Sequence, residues 1–137
     1  MEAAKSVDAF SCLPGHSGQQ ADAEQAYVQA ELKGPPTYIV LPEEGLPKDP
    51  DLLAKWKNID QPVVRMKQAL YGHPDSGTFW EKHCDERVLN AGFTPISEEW
   101  PSCYYHKELE LFLVIYVDDF KMSGPTKNLK KGCCLLY

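Results

Sequence analysis

Two adjacent carboxylates, Asp118 and Asp119, follow the longest uncharged apolar run of the chain, the seven residues 111–117. An uninterrupted run of this kind predicts a β-strand that is covered on both faces. Neighbouring side chains on a strand point to opposite faces, so a tight turn at residues 117–119 is expected to keep both carboxylates out of the core. Aspartate is a common turn former, and the pair taken alone is interpreted as a turn.

Together with a third carboxylate, the pair could bind a divalent cation. Mg²⁺ is held in proteins by one or two carboxylates together with substrate phosphates, and two ions about 4 Å apart stabilise the attacking and leaving oxygens in phosphoryl transfer. Asp22, at the end of a short extended stretch, is the candidate third ligand. Taken alone, Asp22 is interpreted as the N-cap of a helix.

Three motifs occur in order along the chain: DAEQAY at residues 22–27, KQALYG at residues 67–72 with Trp80 after it, and YVDD at residues 116–119. Their order and spacing, with Gly92 and Phe93 also in place, resemble the reverse transcriptase of copia-type retrotransposons. The resemblance covers about residues 1–124. It implies an RNA-directed DNA polymerase, a nucleotidyltransferase, of which this chain would be a palm-domain fragment.

The resemblance also implies catalytic roles. Asp22, Asp118 and Asp119 match an acidic triad that holds two Mg²⁺ ions, with Asp22 and Asp118 binding the ions and Asp119 supporting the site. The 3′ hydroxyl of a primer then attacks the α-phosphate of an incoming deoxynucleotide, and pyrophosphate leaves. Metal charge offsets the negative oxygens that crowd together in the transition state.

A nucleotide-binding segment is implied directly after the first acid. Ala23, Glu24, Gln25 and Ala26 are expected near the triphosphate, with small side chains leaving backbone donors accessible. Tyr27 matches the aromatic position that excludes a ribose 2′-OH by its bulk. Taken alone, Tyr27 is interpreted as a core aromatic.

Asp75 is also assigned to the nucleotide site, because it occupies the position of a family glutamine that touches the nucleotide. An unpaired carboxylate there would repel a triphosphate, so we expect Asp75 to cap the helix that begins near Ser76. That helix is predicted at residues 76–91, since apolar residues recur at intervals of four, four and three from Trp80 and Gly92 follows as a C-terminal cap.

The predicted fold class is α+β, a partial polymerase palm with a small antiparallel sheet packed against helices. Residues 1–124 are assigned to the palm domain and residues 125–137 to a basic, then apolar tail without a clear partner. We expect the fingers and thumb to be largely missing and the tail to be truncated, because 21 residues precede Asp22 and 18 follow Asp119. The other predicted elements are a helix at residues 1–10, a loop at 15–18, and strands at 37–41, 62–67, 103–106 and 111–117.

Charge and hydropathy set the expected partners. The chain has 14 basic and 20 acidic side chains and a net charge of −6, whereas nucleic-acid binders usually carry a net basic face. Template–primer and deoxynucleotides are therefore expected as partners of the full-length family member, and the isolated chain is expected to be inactive. No apolar run approaches the ~18 residues of a membrane span, and the N-terminus lacks the apolar core of a secretory signal, so an intracellular protein without a membrane partner is expected.

Two alternatives from other function classes stay open. One is a non-catalytic remnant that acts at most as an interaction module. The other is a small zinc-binding module that uses Cys84, Cys103 and His106, with His83 beside them. Structural zinc sites show two spaced ligand pairs, whereas His83 and Cys84 are adjacent. The five cysteines form no CxxC pair and are expected to be reduced thiols.

Overall fold

The computed structural model describes residues 2–136. Met1 and Tyr137, the outer ends of the two predicted regions, lie outside the described residues. In chain order the elements are α1 (Glu2–Ser11), β1 (His16–Asp22), α2 (Ala26–Gln29), β2 (Tyr38–Val40), a 3-10 turn (Glu43–Gly45), α3 (Pro50–Lys57), β3 (Val63–Arg65), α4 (Ser76–Asn90), β4 (Thr94–Pro95), β5 (Cys103–His106), β6 (Leu111–Tyr116), β7 (Asp119–Pro125) and α5 (Thr126–Leu136).

Five strands form one antiparallel sheet in the order β1-β7-β6-β5-β4. β5, β6 and β7 follow one another through short turns, whereas β1 reaches the edge of the sheet from far upstream, with Asp22 opposite Asp119. The predicted α+β class with a small antiparallel sheet is confirmed within the described residues. The hairpin predicted at residues 103–106 and 111–117 is present as β5 and β6.

Helices cover the sheet on both faces, which accounts for the uninterrupted apolar sequence of β6. Leu111, Leu113 and Ile115 belong to the larger core, together with buried residues of α4 and α5. Val114 lies between them in sequence and packs in a smaller core with Val7 of α1. A carboxylate inside such a strand would be buried without a partner, so acidic residues can stand only where the strand ends.

α4 is the longest described helix, and its bounds confirm the prediction closely. Trp80, Cys84 and Val88 recur on one side of α4 and are buried. Gly92 has a φ of +90°, a conformation that glycine adopts readily, and its N–H donates to the carbonyl of Leu89 at 3.0 Å. No helix within residues 2–136, α4 included, is both long and apolar enough to cross a bilayer.

The sequence predicts no partner for residues 125–137, and the structure supplies one for residues 126–136. These residues form α5, which packs on the larger core through Leu129 and Gly132. The space between α5 and the sheet is tight at Gly132, because a Cβ there would meet the side chains of Leu111 and Met122. α5 therefore contributes to the same core as the strands.

The predicted loop at residues 15–18 is wrong, because β1 already begins at His16. Pairing with β7 fixes this strand from outside the segment, since Gly18 lies opposite Ser123. Gly18 also allows close approach of α1, because a Cβ at Gly18 would lie 3.3 Å from Cβ of Ser11. Turn-forming residues thus serve here as strand residues under a packed helix.

A second, two-stranded sheet pairs β2 with β3 in antiparallel fashion, at the two places where strands are predicted. α3 lies between the two strands and begins at Pro50, and the side chain of its N-cap, Asp49, accepts hydrogen bonds from the N–H groups of Asp51 and Leu52. Tyr38, Val40 and Val63 of this sheet are exposed.

Candidate active site at the β6–β7 turn

Two residues, Val117 and Asp118, connect β6 to β7, because Tyr116 is already paired with Asp119. Val117 has a φ of +58°. A β-branched residue in the left-handed region is an outlier that costs free energy and is found mainly where surrounding contacts hold it. The turn therefore projects the two acids from the end of the strand in a constrained backbone conformation.

Trp80 holds this turn from the α4 side. Its indole Nε1–H donates a hydrogen bond to the carbonyl oxygen of Val117 at 2.7 Å, and the Trp80 side chain is only 5% exposed. On the other flank of β6, the N–H of Ile115 donates to the carbonyl of Ser102 at 2.9 Å. The strained residue is thus fixed through its own carbonyl group by a buried aromatic side chain.

Asp22 stands beside the same turn. It is the last residue of β1 and lies opposite Asp119, and the N–H of Ala23 donates to the carbonyl of Asp118 at 2.8 Å. Side chains that lie directly opposite each other in an antiparallel pair point to the same face of the sheet. The interpretation of Asp22 as a helix N-cap is wrong, since α2 begins later, after Gln25.

The carboxylates lie in water-accessible positions. Asp22 and Asp119 are exposed, and Asp118 is half-buried. The amide Nε2 of Gln20 lies 3.5 Å from Oδ1 of Asp119 on the same sheet face. Within residues 2–136, no group of three or more His, Cys, Asp or Glu side chains lies close enough together to hold a metal ion. Hard carboxylate oxygens on neighbouring strands are the donor type that Mg²⁺ takes, with substrate phosphates completing its coordination.

Residues 23–27 turn the chain away from β1 directly after Asp22. Ala23 and Ala26 are buried, whereas Glu24 and Gln25 are exposed. Gln25 has a φ of +54°, so the backbone bends sharply before α2. The expected accessible backbone donors are only partly present, because the N–H of Ala23 is engaged by Asp118.

Tyr27 lies half-buried at the start of α2 and contacts the second motif. Its ring centroid is 4.4 Å from that of Tyr71, with the planes tilted by 44°. Tyr27 also shares the wall of one cavity with Trp80 and Val117. The sequence pattern did not indicate the Tyr27–Tyr71 contact, because neither spacing nor composition reports on pairs from separate segments.

The prediction that Asp75 caps α4 is wrong. Asp75 occupies the N-cap position, but its side chain makes no capping hydrogen bond, and its backbone has helical dihedral angles of −93° and −1°. A capping side chain requires an extended backbone at that residue to reach the N–H groups of the first turn. The backbone N–H of Asp75 instead lies 3.2 Å from Nδ1 of His73.

α1 lies on the sheet face to which Asp22 and Asp119 point. Lys121, two residues after Asp119 and therefore on the same face, forms an ion pair of 2.6 Å with Asp8 of α1. A cleft of about 580 Å³ separates the first turn of α1 from Asp119 and Tyr116. Asp22 and Asp119 are thus exposed to solvent at one end of the sheet face that α1 covers at its other end.

The proposed zinc ligands do not form a common site among the described residues. Cys84 packs in the larger core and Cys103 in the smaller core, and His106 packs edge-on against Phe93 with 5.1 Å between ring centroids. Burial, with the charge of Asp85 as a lesser cause, raises the pKa of the Cys84 thiol to about 11. Burial also raises the pKa of Cys103. Zinc binds thiolates, so these environments oppose zinc binding.

Comparison of this chain with protein-family models, with curated proteins and with solved structures found no match. The assignment of a function therefore depends on the turn and its neighbours. Strand pairing brings Asp22 of β1 opposite Asp119 of β7 at one exposed end of the sheet, next to Asp118 in the turn. Carboxylate oxygens are the ligand type that hard divalent cations take in proteins.

Proposed function

We propose that this chain is a partial palm domain of an RNA-directed DNA polymerase resembling the copia-type reverse transcriptases, with Asp22, Asp118 and Asp119 as its divalent-cation ligands. The observation that carries the proposal is the register of β1 on β7, which sets Asp22 opposite Asp119. The acid of the first motif and those of the third motif come from opposite ends of the chain, and catalysis of nucleotidyl transfer requires them together.

Contacts among the three motifs support the same proposal. The first motif touches the third through the hydrogen bond from Ala23 to Asp118, and the residue after the second motif touches the third through the hydrogen bond from Trp80 to Val117. The first motif touches the second through the rings of Tyr27 and Tyr71. Residues singled out by one family pattern therefore lie together around one turn.

In the proposed role, Asp22 and Asp118 would hold Mg²⁺, and Asp119 would support them from β7. The ion, when bound, supplies positive charge that offsets negative phosphate oxygens. The chain's own contribution is positional: strand pairing fixes Asp22 relative to Asp119, and Trp80 fixes the turn that carries Asp118. Preorganised ligands need no rearrangement at the moment of reaction.

The net charge of −6 limits what the isolated chain can do with nucleic acid. Phosphate neutralisation by basic side chains supplies most non-specific affinity for nucleic acid. Lys121, the basic residue on the carboxylate-bearing face next to Asp119, is engaged by Asp8. We therefore propose that cation binding is retained by this chain and that its primer extension is weak.

Cation binding is the sharper test of this proposal. We expect Mn²⁺, used as a paramagnetic substitute for Mg²⁺, to bind about tenfold more weakly to Asp118→Asn, because one ligand charge is lost. Asp60→Asn is the matched control, since it removes one exposed carboxylate between α3 and β3. Electron paramagnetic resonance of free Mn²⁺ measures both affinities. Equal affinities of the Asp118→Asn and Asp60→Asn variants would contradict the site.

Primer extension tests the second part of the proposal. With Mg²⁺, a primed template and deoxynucleotides, we expect at most trace extension by the isolated chain, and none above background by Asp118→Asn. Robust extension by the isolated chain would refute weak activity. Extension that persists in Asp118→Asn would refute the catalytic assignment of Asp118.

A further inference from the structure

A cavity of about 300 Å³ lies between α4 and the sheet, next to the β6–β7 turn. The proposed cation ligands Asp22, Asp118 and Asp119 are not among its lining residues. Four aromatic side chains contribute to its wall: Tyr27, Trp80, Tyr104 and Tyr116. Its volume is at the lower end of that of small-molecule pockets, which are mostly apolar with a few placed polar groups.

The charge at this cavity has one sign. Its charged lining residues are Glu81 and Asp85, both on α4, and both are acidic. The ion pair found within residues 2–136 joins Lys121 to Asp8, so neither of these carboxylates has a basic partner within 4 Å among the described residues. Tyr104 donates its hydroxyl hydrogen bond to Oδ1 of Asp85 at 2.9 Å.

We infer that this cavity binds a small planar organic cation of the amidine class. The electron-rich faces of Trp and Tyr attract cations within about 6 Å, and the attraction grows when the cation is desolvated. Carboxylates at the rim match the charge of such a ligand, and a planar delocalised cation can stack on a ring while donating hydrogen bonds to Glu81 or Asp85. The inference does not depend on the polymerase proposal.

The cavity wall is preorganised for such a ligand. Trp80 is 5% exposed and is held by its hydrogen bond to Val117, and Tyr104 is 7% exposed and is held by Asp85. Burial, followed by the hydrogen bond to Asp85, raises the pKa of Tyr104 well above its usual range. The hydroxyl of Tyr104 therefore stays protonated and continues to donate to Asp85. Among the four aromatic wall residues, the exposed ring of Tyr116 is the one that a ligand would have to order.

Benzamidine and benzamide are the probes for this inference, because they have nearly the same shape and only benzamidine is a cation at neutral pH. We expect titration calorimetry on the full chain to show about tenfold tighter binding of benzamidine. In ¹⁵N-correlated spectra, the Trp80 indole N–H signal is expected to shift on benzamidine addition. Equal binding of the two probes, or shifts confined to Trp56 and Trp100, would overturn the inference.

The acidic charge of the cavity and its free volume are tested by separate variants of α4. Glu81→Gln is expected to weaken benzamidine binding roughly threefold to tenfold, and Glu86→Gln, an equal charge change at an exposed position outside the cavity wall, is expected to leave it unchanged. Equal effects of these two variants would mean non-specific attraction to an acidic surface.

Gly77 lines the cavity, and a Cβ there would meet no atom within 4 Å, so Gly77→Phe adds an aromatic ring at the cavity wall without a clash at Cβ. We expect Gly77→Phe to abolish benzamidine binding while far-ultraviolet circular dichroism stays unchanged. Thr78→Phe, the next and exposed position of α4, is expected to retain binding. Retained binding in Gly77→Phe would place the ligand elsewhere and overturn the inference.

Discussion

Val117 takes a left-handed backbone conformation at the residue that separates β6 from the two acids. An L-residue with a Cβ branch pays steric repulsion there of about 1–2 kcal/mol. The neighbouring contacts, above all the hydrogen bond from Trp80, hold the conformation in place. Strain of this kind is common at functional sites, and here it precedes Asp118, a proposed cation ligand.

Replacing Val117 by glycine tests this strain directly. We expect Val117→Gly to raise the free energy of unfolding by about 0.5 kcal/mol, because relief of steric repulsion exceeds the added entropy of the unfolded chain. Urea denaturation measures the change. Val63→Gly is the control, since Val63 is similarly exposed but lies in the extended strand β3, and there glycine is expected to destabilise by about 0.5–1 kcal/mol. A loss of stability in both variants would show that residue 117 is unstrained.

The buried thiol of Cys84 gives the fold a dependence on alkaline pH. Its pKa rises from an ordinary 9.0 to about 11 in the folded chain, mainly through burial. Because the folded chain keeps the Cys84 proton at a higher pH than the unfolded chain does, the stabilisation is complete below pH 9.0. It is lost as the pH rises toward 11. We expect the free energy of unfolding to fall over that window, with a shallower fall in Cys84→Ala. Cys12→Ala, at an exposed cysteine, is expected to follow the unsubstituted chain, and an equally shallow fall there would count against Cys84.

At the scale of elements, α4 and the β6–β7 hairpin act as one unit through Trp80. The indole connects the N-terminal part of the helix to the tip of the hairpin, and Trp80 also lies in the larger core. Any movement of α4 along the sheet therefore displaces the turn that carries Asp118. The position of the candidate ligands depends on this contact as much as on strand pairing.

The Trp80→Phe variant removes the hydrogen bond and keeps most of the apolar ring. We expect a loss of about 1–2 kcal/mol in the free energy of unfolding, because the Val117 carbonyl is left without its donor and the smaller ring leaves space. Thermal or urea denaturation measures the loss. Trp100→Phe is the matched control, at a residue 39% exposed, with an expected change within about 0.5 kcal/mol. Equal losses in the two variants would rule out a special role for the Trp80 hydrogen bond.

Sequence patterns predicted the elements that are determined by residues close together in the chain. α4 follows from periodic burial and a glycine cap, and the β5–β6 hairpin follows from two β-type runs around a turn. β1 begins at His16, inside the predicted loop, because its pairing with β7 is a long-range interaction that overrides the turn-forming residues at 15–18. The cap expected at Asp75 fails because its backbone is helical, and residue preference alone does not report the backbone conformation before α4.

The sequence indicates the acidic residues of the candidate site, but it does not indicate the contacts that hold them in position. Asp118 and Asp119 can be recognised from the apolar run that precedes them, and Asp22 from its motif. The hydrogen bond from Trp80, the ring contact of Tyr71 and the strain at Val117 depend on tertiary packing, so spacing along the sequence does not report them. The catalytic and metal-binding roles of the three acids stay predictions.

At the scale of the whole molecule, α5 closes the larger core over β1, β6 and β7. Leu129 is 6% exposed and lies in that core, whereas Leu135 on the same helix is 43% exposed. A domain of this size has little core to lose, and the free energy of unfolding of a small domain is only about 5–15 kcal/mol. The last described helix is therefore part of the minimal folding unit.

Truncating one side chain of α5 tests this conclusion. We expect Leu129→Ala to lower the free energy of unfolding by about 2–4 kcal/mol through lost burial and the cavity that it leaves. Leu135→Ala is the control and is expected to change stability by less than about 0.5 kcal/mol. Urea denaturation measures both variants. A loss in Leu129→Ala as small as that of the control would mean that α5 is dispensable for the core.

β1 leaves the ribosome long before β7, because synthesis begins at the N-terminus. Until β7 emerges, both edges of β1 have unpaired backbone amide and carbonyl groups that can pair with other extended chains. Contacts between segments so distant in sequence also form slowly. This topology therefore leaves nascent β1 open to incorrect strand pairing during translation until β7 becomes available.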